Sequence, residues 1–388
     1  MQNGRQISSW KQQVLFTPGP LTTSATVKQA MLRDVGHRDS EFIEAIAYVR
    51  DKLLEIGGVA GKGYEAILLQ GSGTYAVEAV ISTGTPADGK WLVIENGAYG
   101  KRISKIIDVL KIDKTVLSYP ENALPDLDEI ARVLAKDPSV THVAIVHNET
   151  TTGLVNPIEQ VSKVVKDFGK IYFVDAMSSF GAFPMNLADL KIDWLACTAN
   201  KNIEGVPGFA FVLAKRDVLL ATEGNARSLV LDLFDQLQGF EKNGQFRFSP
   251  PTHAILAFKQ ALLELEQEGG VAGREKRYKE NYQTLVDGMT GMGFTEYLPR
   301  EVQSHIIVSF NYPDHPNFNF DVFYKKLNDR GYVIYPGKVS NADCFRLGVC
   351  GRLFKSDIQD VLNAIKDVME EMGVDLSPVI SQKRRTFH

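Results

Sequence analysis

Residues 171–215, IYFVDAMSSFGAFPMNLADLKIDWLACTANKNIEGVPGFAFVLAK, contain three short apolar runs and two charged residues that decide the fold. The first run ends at Asp175, and Lys201 follows the second run in a loop that contains glycine and proline. Short apolar runs bounded by turn residues are typical of buried strands. The stretch therefore predicts three strands, with Asp175 and Lys201 at one edge of a sheet, where open α/β sheets bind ligands.

An aspartate and a lysine at such an edge are the pair that pyridoxal phosphate requires. The lysine binds the cofactor aldehyde covalently, and the aspartate keeps the pyridine nitrogen protonated so that the ring accepts electrons. Taken alone, Asp175 also fits a cap or turn residue, and Lys201 a solvated loop residue. The pair gains weight because a candidate phosphate-binding turn and a candidate anion-binding arginine also occur in the chain.

The glycine-rich segment QGSGTYAVEAV at residues 70–80 follows an apolar run and opens an amphipathic helix. Such a turn offers free backbone N–H groups and the positive end of a helix to a phosphate, and Ser72 and Thr74 add hydroxyl groups. The segment lacks the GK[ST] of a nucleotide-binding P-loop and is not a GxGxxG motif. Taken alone, it also fits a plain turn between a strand and a helix.

Three further positions are candidates for ligand contacts. Tyr99 follows a strand end and a glycine, so a planar cofactor could lie on its ring, although an ordinary half-buried tyrosine is the alternative. Arg346 lies in the apolar run CFRLG, and a buried arginine needs an anionic partner, which is either a local carboxylate or the acidic group of a substrate. His37 and Arg38 either cap a helix or face a cleft.

Strands alternate with helices along the first half of the chain, as the apolar runs at 65–69, 91–94 and 143–146 indicate. This alternation predicts an α/β fold with a mostly parallel, doubly wound sheet. The pattern changes after residue 213, and a long charged helix near 273–292 leads to further strands and helices.

The change of pattern predicts two domains. We expect a large cofactor-binding domain at residues 21–285 and a smaller α+β domain formed by residues 1–20 and 286–388.

Composition narrows the class of protein. The 388 residues carry a formal net charge of −4 with mixed signs, so nucleic acid and anionic membranes are not expected as partners. Three cysteines provide neither a disulfide framework nor a CxxC metal pair, and no metal is expected. The polar N-terminal residues lack an apolar signal core, and no run is long enough to span a membrane. A soluble cytoplasmic protein is therefore expected.

Several of these segments together resemble the class V, fold-type-I pyridoxal-phosphate-dependent aminotransferases, over roughly residues 14–370. Among them, the likeness is greatest to the 2-aminoethylphosphonate:pyruvate aminotransferases. The resemblance rests on these segments: LFTPGPLTTS at 15–24, LLQGSGTYAVEAV at 68–80, NGAYGKR at 96–102, HNETTTGLVNPI at 147–158, VDAMSSFG at 174–181, ANKNIEGVPGFAFV at 199–212, SPPTHAILAF at 249–258, and VIYPGKVS and CFRLG within 333–348.

The resemblance implies a fold-type-I transferase whose large domain has a mostly parallel, seven-stranded sheet. It implies a homodimer with shared active sites, and transfer of an amino group from 2-aminoethylphosphonate to pyruvate, which gives phosphonoacetaldehyde and L-alanine. It also implies these roles: Lys201 binds the cofactor aldehyde, Asp175 pairs with the pyridine nitrogen, Ser72, Gly73 and Thr74 bind the phosphate, Tyr99 stacks on the ring, Thr150 lies near the ring hydroxyl, Ser249 and Thr252 reach the phosphate from the partner subunit, and Arg346 holds the acidic group of the substrate.

Three places depart from this pattern: residues 36–42, Asn202, where the phosphonate enzymes commonly have cysteine, and Ser249 with Pro250, where they have threonine and serine. Residues 36–42, GHRDSEF, look more like the GHR-x-x-EF of serine- and alanine-glyoxylate aminotransferases, so an enzyme of that kind is the alternative. A cysteine desulfurase or lyase would need a mobile reactive thiol, and the cysteines here lie in or beside apparent strands. A non-catalytic binding protein on this fold is disfavoured by the presence of both Lys201 and Asp175.

Overall fold

The computed structural model describes residues 12–337 and 342–375. Its strands are β1 Val14–Leu15, β2 Tyr64–Gln70, β3 Lys90–Glu95, β4 Asp113–Ser118, β5 Val140–Val146, β6 Asn148–Glu149, β7 Leu154–Val155, β8 Ile171–Asp175, β9 Trp194–Thr198, β10 Phe209–Lys215, β11 Ile307–Asn311, β12 Tyr332–Val333, β13 Tyr335–Pro336 and β14 Cys344–Gly348. Its helices are α1 Ala25–Gln29, α2 Ser40–Ile56, α3 Gly73–Gly84, α4 Ala98–Val109, α5 Leu127–Lys136, α6 Ile158–Asp167, α7 Arg216–Leu220, α8 Leu233–Asn243, α9 Thr252–Gln267, α10 Gly270–Gly291, α11 Phe320–Asp329 and α12 Lys355–Glu371.

The central feature is a seven-stranded sheet in the order β2-β10-β9-β8-β5-β3-β4. Strand β10 is antiparallel to both of its neighbours, and the other pairs are parallel. Strands β2, β3, β5, β8 and β9 therefore all point their carboxyl ends to the same edge. The predicted α/β fold with a mostly parallel, seven-stranded sheet is confirmed.

The central strands are apolar throughout because helices cover both faces of the sheet. All five residues of β9 are buried, as are the last four of β8. A strand covered on one face only would alternate between apolar and polar residues. This explains why short continuous apolar runs identified the strands correctly.

A second sheet, in the order β11-β14-β13, lies in the C-terminal part of the chain, which confirms a smaller α+β region. Its apolar cluster contains residues from Leu285 to Val374 together with Phe16 from the N-terminal segment, whereas the cluster around the large sheet runs from Val27 to Leu265. The domain boundary near residue 285 stays a prediction, and residues 1–11, 338–341 and 376–388 of the expected small domain lie outside the described residues.

Some local details were not expected from the sequence. Helix α8 begins at Leu233, where the Asp232 side chain accepts a hydrogen bond from the Asp235 N–H at 3.0 Å. Two short strands lie on either side of Ile334: β12, which pairs with β1, and β13, which pairs with β14. Helix α4 was not predicted.

Within the described residues, no helix combines the length and the apolar character needed to cross a membrane.

Candidate active site

A cavity of about 270 Å³ lies at the edge where the parallel strands end. It brings together seven of the predicted site residues, although they come from five separate segments of the chain. Its lining consists of Ser72, Gly73, Thr74, Val77, Tyr99, Arg102, Ile103, Thr150, Asp175, Met177, Ser178, Thr198, Asn200 and Lys201. No group of His, Cys, Asp and Glu side chains in the described parts of the chain is arranged to hold a metal ion.

Lys201 lies in the loop after β9, and its Nζ donates a hydrogen bond to the Pro18 carbonyl. Burial lowers the pKa of the Lys201 amine, because the charged form loses hydration there. A Cβ at Gly19 would come within 2.8 Å of Nζ, so only glycine allows the N-terminal segment to pass this close to the lysine. The site thus favours a neutral amine, which is the form that attacks a carbonyl.

Asp175, the last residue of β8, is 4% exposed. Its Oδ1 accepts a hydrogen bond from the Met177 N–H at 3.0 Å. Burial raises the pKa of its carboxyl to about 6, and the charge of nearby Glu149 contributes in the same direction. A protonated ring nitrogen placed beside this carboxyl would stabilise its ionised form.

The predicted phosphate-binding turn lies at the start of α3. Ser72 precedes the helix in an extended conformation, and its side chain does not cap the helix, so its hydroxyl and the first N–H groups are available to a ligand. A Cβ at Gly73 would come within 2.4 Å of the Met177 sulfur, so glycine lets α3 pack against the segment that follows Asp175. This packing brings the turn and Asp175 into one cavity.

Tyr99 lies in the first turn of α4, where the Glu149 carboxylate holds the helix end. Glu149 is fully buried and accepts hydrogen bonds from the N–H groups of Tyr99 and Gly100, at 3.3 and 3.2 Å. The guanidinium carbon of Arg102 lies 4.7 Å from the centre of the Tyr99 ring, and its Nη1 donates to Thr74 Oγ1 at 3.3 Å. Tyr99 is therefore positioned by the Glu149 carboxyl group at its backbone N–H and by the Arg102 cation at the face of its ring.

Thr150 and Arg346 form the side of the site nearest the C-terminal sheet. The Thr150 hydroxyl pairs with the Ser178 hydroxyl at 2.7 Å, and Arg346 Nη1 donates to the Thr150 carbonyl at 2.8 Å. Arg346 is 5% exposed, and its Nε donates to the Pro336 carbonyl at 3.1 Å. Among the described residues no carboxylate forms an ion pair with Arg346.

Ser249 and Thr252 do not line this cavity. Gln70 Nε2 donates to the carbonyls of Phe248 and Ser249, at 3.0 and 3.1 Å, so their loop lies beside the strand that leads into the phosphate turn. Their predicted role requires a second chain.

His37 and Arg38 are exposed in the turn that precedes α2 and do not line the cavity of their own chain. The last three residues of the VIYPGKVS segment, 338–340, lie outside the described residues.

Sequence reasoning missed Arg102, Glu149 and Ser178. Each lies inside a segment quoted above for the family resemblance: NGAYGKR, HNETTTG or VDAMSSFG. The residue pattern within a segment does not show which of its side chains will line a cavity, because the cavity forms only when the segments come together in the fold. Only the spacing of Tyr99 and Arg102, three residues apart on one helix, gave a signal that could have been used.

The residues present fit pyridoxal phosphate. The cavity offers an amine with a lowered pKa, a carboxyl with a raised pKa, an aromatic ring, and a helix N-terminus whose first N–H groups are free. These are the groups required by its aldehyde, its ring nitrogen, its ring face and its phosphate, respectively.

Comparisons with known proteins agree with this chemistry. The family model of class V aminotransferases matches residues 22–340. A 2-aminoethylphosphonate–pyruvate transaminase from Syntrophobacter fumaroxidans is 48% identical over 361 residues, which are 93% of this chain and 97% of that protein. One from Vibrio cholerae is 51% identical over 355 residues, 91% and 96% of the two chains.

A solved structure, pyridoxamine-pyruvate aminotransferase from Mesorhizobium loti, has a TM-score of 0.85 at 21% identity. The match covers 95% of this chain and 94% of that one. At this level of identity the likeness supports the fold alone.

Proposed function

The chain belongs to the class V aminotransferase family, and from this membership we propose that it transfers the amino group of 2-aminoethylphosphonate to pyruvate, giving phosphonoacetaldehyde and L-alanine. The observation that carries the substrate assignment is the identity near 50%, over more than 90% of both chains, with transaminases named for this reaction. The cavity supports the reaction class independently, because it brings Lys201 and Asp175 together with a phosphate-binding turn.

The cofactor is pyridoxal phosphate, which supplies an aldehyde that reacts with amines and a ring that accepts electrons when it is bound. We propose that Lys201 holds the aldehyde covalently through Nζ and that Asp175 pairs with the ring nitrogen. Ser72, Gly73 and Thr74 bind the phosphate, Tyr99 packs on the ring, and Thr150 lies near the ring hydroxyl. All of these residues line one cavity.

Proton transfer is the step that this chain performs through Lys201. The Lys201 amine would take the proton from the carbon that bears the donor nitrogen. The lowered pKa of Lys201 favours its neutral amine, which is the form that accepts a proton. The ionised Asp175 carboxylate opposes loss of the proton from the ring nitrogen during this step. Phosphonoacetaldehyde would leave as the first product. In the second half-reaction pyruvate would accept the amino group that the donor gave up, and Lys201 would deliver a proton to the carbon that becomes the α-carbon of alanine.

Arg346 is the proposed binding residue for the acidic group of both substrates. Its planar guanidinium offers a fork of donors that fits a carboxylate or a phosphonate. Arg346→Lys should therefore raise the KM values of the amino donor and of pyruvate together, since an ammonium group loses the bidentate geometry.

A homodimer with shared sites is part of the proposal. Four large apolar side chains are exposed in the single chain: Tyr75, in the first turn of α3, and Leu229, Val230 and Phe248. Arg247 connects Leu229 with Phe248, because its Nη1 donates to the Leu229 carbonyl at 3.0 Å and its guanidinium lies over the Phe248 ring. Exposed apolar surface of this kind is typical of protein interfaces. A partner chain that covers this apolar surface would bring its own Ser249 and Thr252 close to the phosphate-binding turn.

A donor screen tests the assignment. Purified holoenzyme is given 2-aminoethylphosphonate, L-alanine or L-serine as donor and pyruvate or glyoxylate as acceptor, and the product amino acid is measured. The pair of L-alanine and pyruvate is left out, because its products are identical to its substrates. We expect the pair of 2-aminoethylphosphonate and pyruvate to give the highest kcat/KM. A clearly higher value for L-alanine or L-serine with glyoxylate would instead establish the alternative suggested by residues 36–42. The expected cytoplasmic location stays a prediction, which cell fractionation would test.

A further inference from the structure

The phosphate-binding turn predicted from the sequence contains no positive side chain. Ser72, Gly73 and Thr74 supply hydroxyl and N–H groups, whereas a phosphate monoester carries a charge of about −1.5 to −2 at neutral pH. Among the residues that line the cavity in the described structure, the cations are Lys201 and Arg102. Lys201 is engaged by the cofactor aldehyde under the proposed function, so Arg102 is the cation left to face the phosphate.

Two contacts hold the Arg102 guanidinium beside the turn. Its Nη1 donates to Thr74 Oγ1 at 3.3 Å, and its plane lies over the Tyr99 ring, with 4.7 Å from the guanidinium carbon to the ring centre. Arg102 is on α4 and Thr74 is in the first turn of α3, so the arginine spans the two helices. The guanidinium is thus held by a hydrogen bond at one nitrogen and by a ring contact at its face.

We propose that Arg102 is a binding residue for the cofactor phosphate, with its guanidinium supplying the positive charge of the cup formed by Ser72, Gly73 and Thr74. Charge-assisted hydrogen bonds from arginine to phosphate are among the strongest that proteins make. The proposal rests on the proposed pyridoxal-phosphate-dependent function. The competing explanation is that Arg102 serves only to hold the Tyr99 ring.

Arginine suits this place better than lysine would. Its flat guanidinium can stack on Tyr99 while its N–H groups point to Thr74 and to a phosphate, whereas a lysine ammonium supplies a charge without a plane or a fork. The order of cofactor affinity should therefore be wild type, then Arg102→Lys, then Arg102→Gln.

The test compares two ligands that differ only in the phosphate, pyridoxal phosphate and pyridoxal. The full chain is purified as holoenzyme and stripped of cofactor with an amine donor, and both dissociation constants are measured by absorbance titration. The variants are Arg102→Gln and Arg102→Lys, and the matched control is Lys101→Gln, which alters an exposed neighbour on α4 that does not line the cavity.

We expect Arg102→Gln to raise the Kd of pyridoxal phosphate by about 10-fold or more, the scale of one lost charged hydrogen bond, and to change the Kd of pyridoxal much less. The Lys101→Gln control should leave both constants unchanged. If both Kd values rise by the same factor, or if neither rises, the phosphate role of Arg102 is wrong. Should Arg102→Gln fail to fold, Arg102→Lys tests the same difference between the two ligands with a smaller expected rise, because lysine keeps the charge but loses the fork of donors.

Failure of this inference is distinguishable from failure of the proposed function. The titration needs no amino donor, so a wrong substrate assignment leaves it unaffected. A wild-type chain that binds neither ligand would contradict the pyridoxal phosphate assignment itself.

Discussion

At the scale of single residues, burial at one edge of the sheet shifts the pKa values of two groups. Burial lowers the pKa of the Lys201 amine and raises the pKa of the Asp175 carboxyl to about 6, because each loses hydration of its charged form. Without a ligand, burial thus opposes charge on both groups. A cofactor that binds the amine covalently and places a cationic nitrogen beside the carboxyl relieves both penalties at once.

Replacing Lys201 by alanine should reduce turnover by about 1,000-fold or more, since the chain then lacks both the covalent attachment and the proton acceptor. The visible absorbance band of the lysine-bound cofactor should disappear, while weak binding of pyridoxal phosphate remains through the other cavity residues. Lys163→Ala, at an exposed position on α6, is the control. Retained turnover in Lys201→Ala would contradict the assignment of this residue.

The raised pKa of Asp175 predicts a pH dependence of stability in the cofactor-free chain. Its ordinary value is 3.8 and its folded value about 6, so between these values the folded chain binds more protons than the unfolded chain. Stability contributed by this group is therefore present at low pH and lost as pH rises from about 4 to about 6, by about 2 to 3 kcal/mol in total.

Urea unfolding at about pH 4 and pH 7 would measure this loss as the difference between wild type and Asp175→Asn, because the amide does not titrate. Asp167→Asn, at an exposed helix end, is the control. Equal pH dependence in wild type and Asp175→Asn would show that the carboxyl is not perturbed. In the holoenzyme, Asp175→Asn should also lower kcat by about 100-fold or more, since an amide cannot keep the ring nitrogen protonated.

At the scale of elements, the loop that carries Lys201 is tied to α10 through a buried ionic cluster. Glu204 is 2% exposed, and its carboxylate accepts hydrogen bonds from Arg277 and from the Tyr278 hydroxyl, both at 2.7 Å. It also forms an ion pair with the fully buried Arg274 at 3.4 Å. Because Arg277 donates to the Gly351 carbonyl at 2.6 Å, the cluster also reaches the segment after β14, the strand of Arg346.

Glu204→Gln should lower the free energy of unfolding by about 3 kcal/mol, since removing one partner leaves buried arginine charge less compensated. The amide should also loosen the Lys201 loop, so kcat should fall more than KM changes. Glu280→Gln, on the exposed face of α10, is the control for loss of a carboxylate. Glu268 also pairs with Arg274 and Arg277, at 2.8 and 2.7 Å. Unchanged stability and kcat in Glu204→Gln would mean that Glu268 alone compensates both arginines.

The Glu204 cluster also marks the limit of prediction from sequence. The apolar runs predicted the strands. Part of the site was predicted as well, because Asp175, Lys201 and the glycine-rich turn all lie at strand ends and parallel strands bring their carboxyl ends together. The partners of Glu204 lie about 70 residues away along the chain and carry no periodic signal. Arg102 was missed for the same reason, since its role depends on how α4 packs against α3.

At the scale of the whole molecule, one described chain leaves the predicted site incomplete. Ser249 and Thr252 lie outside the cavity, and the apolar side chains of Leu229, Val230 and Phe248 are exposed. Both observations are explained if a second copy covers this surface and presents its own Ser249 and Thr252 to the phosphate.

Mixing two inactive variants tests whether the site is shared. One chain carries Lys201→Ala with Ser249 and Thr252 intact, and the other carries Ser249→Ala and Thr252→Ala with Lys201 intact. In a mixed dimer with shared sites, one of the two sites has the lysine of one chain and both hydroxyls of the other. Co-expression should therefore restore activity and tight cofactor binding at about half of the sites in the mixed dimers, since each mixed dimer has one complete site of two.

If Ser249 and Thr252 instead act within their own chain, every site in the mixture lacks either the lysine or the hydroxyls, and co-expression restores nothing. Wild type co-expressed with the Lys201→Ala chain calibrates the activity of a dimer that has one intact site. Sedimentation of the same samples gives the mass of the active species. An active species with the mass of one chain, 43.1 kDa, would contradict the shared site, because no second chain would then be present to complete the cup.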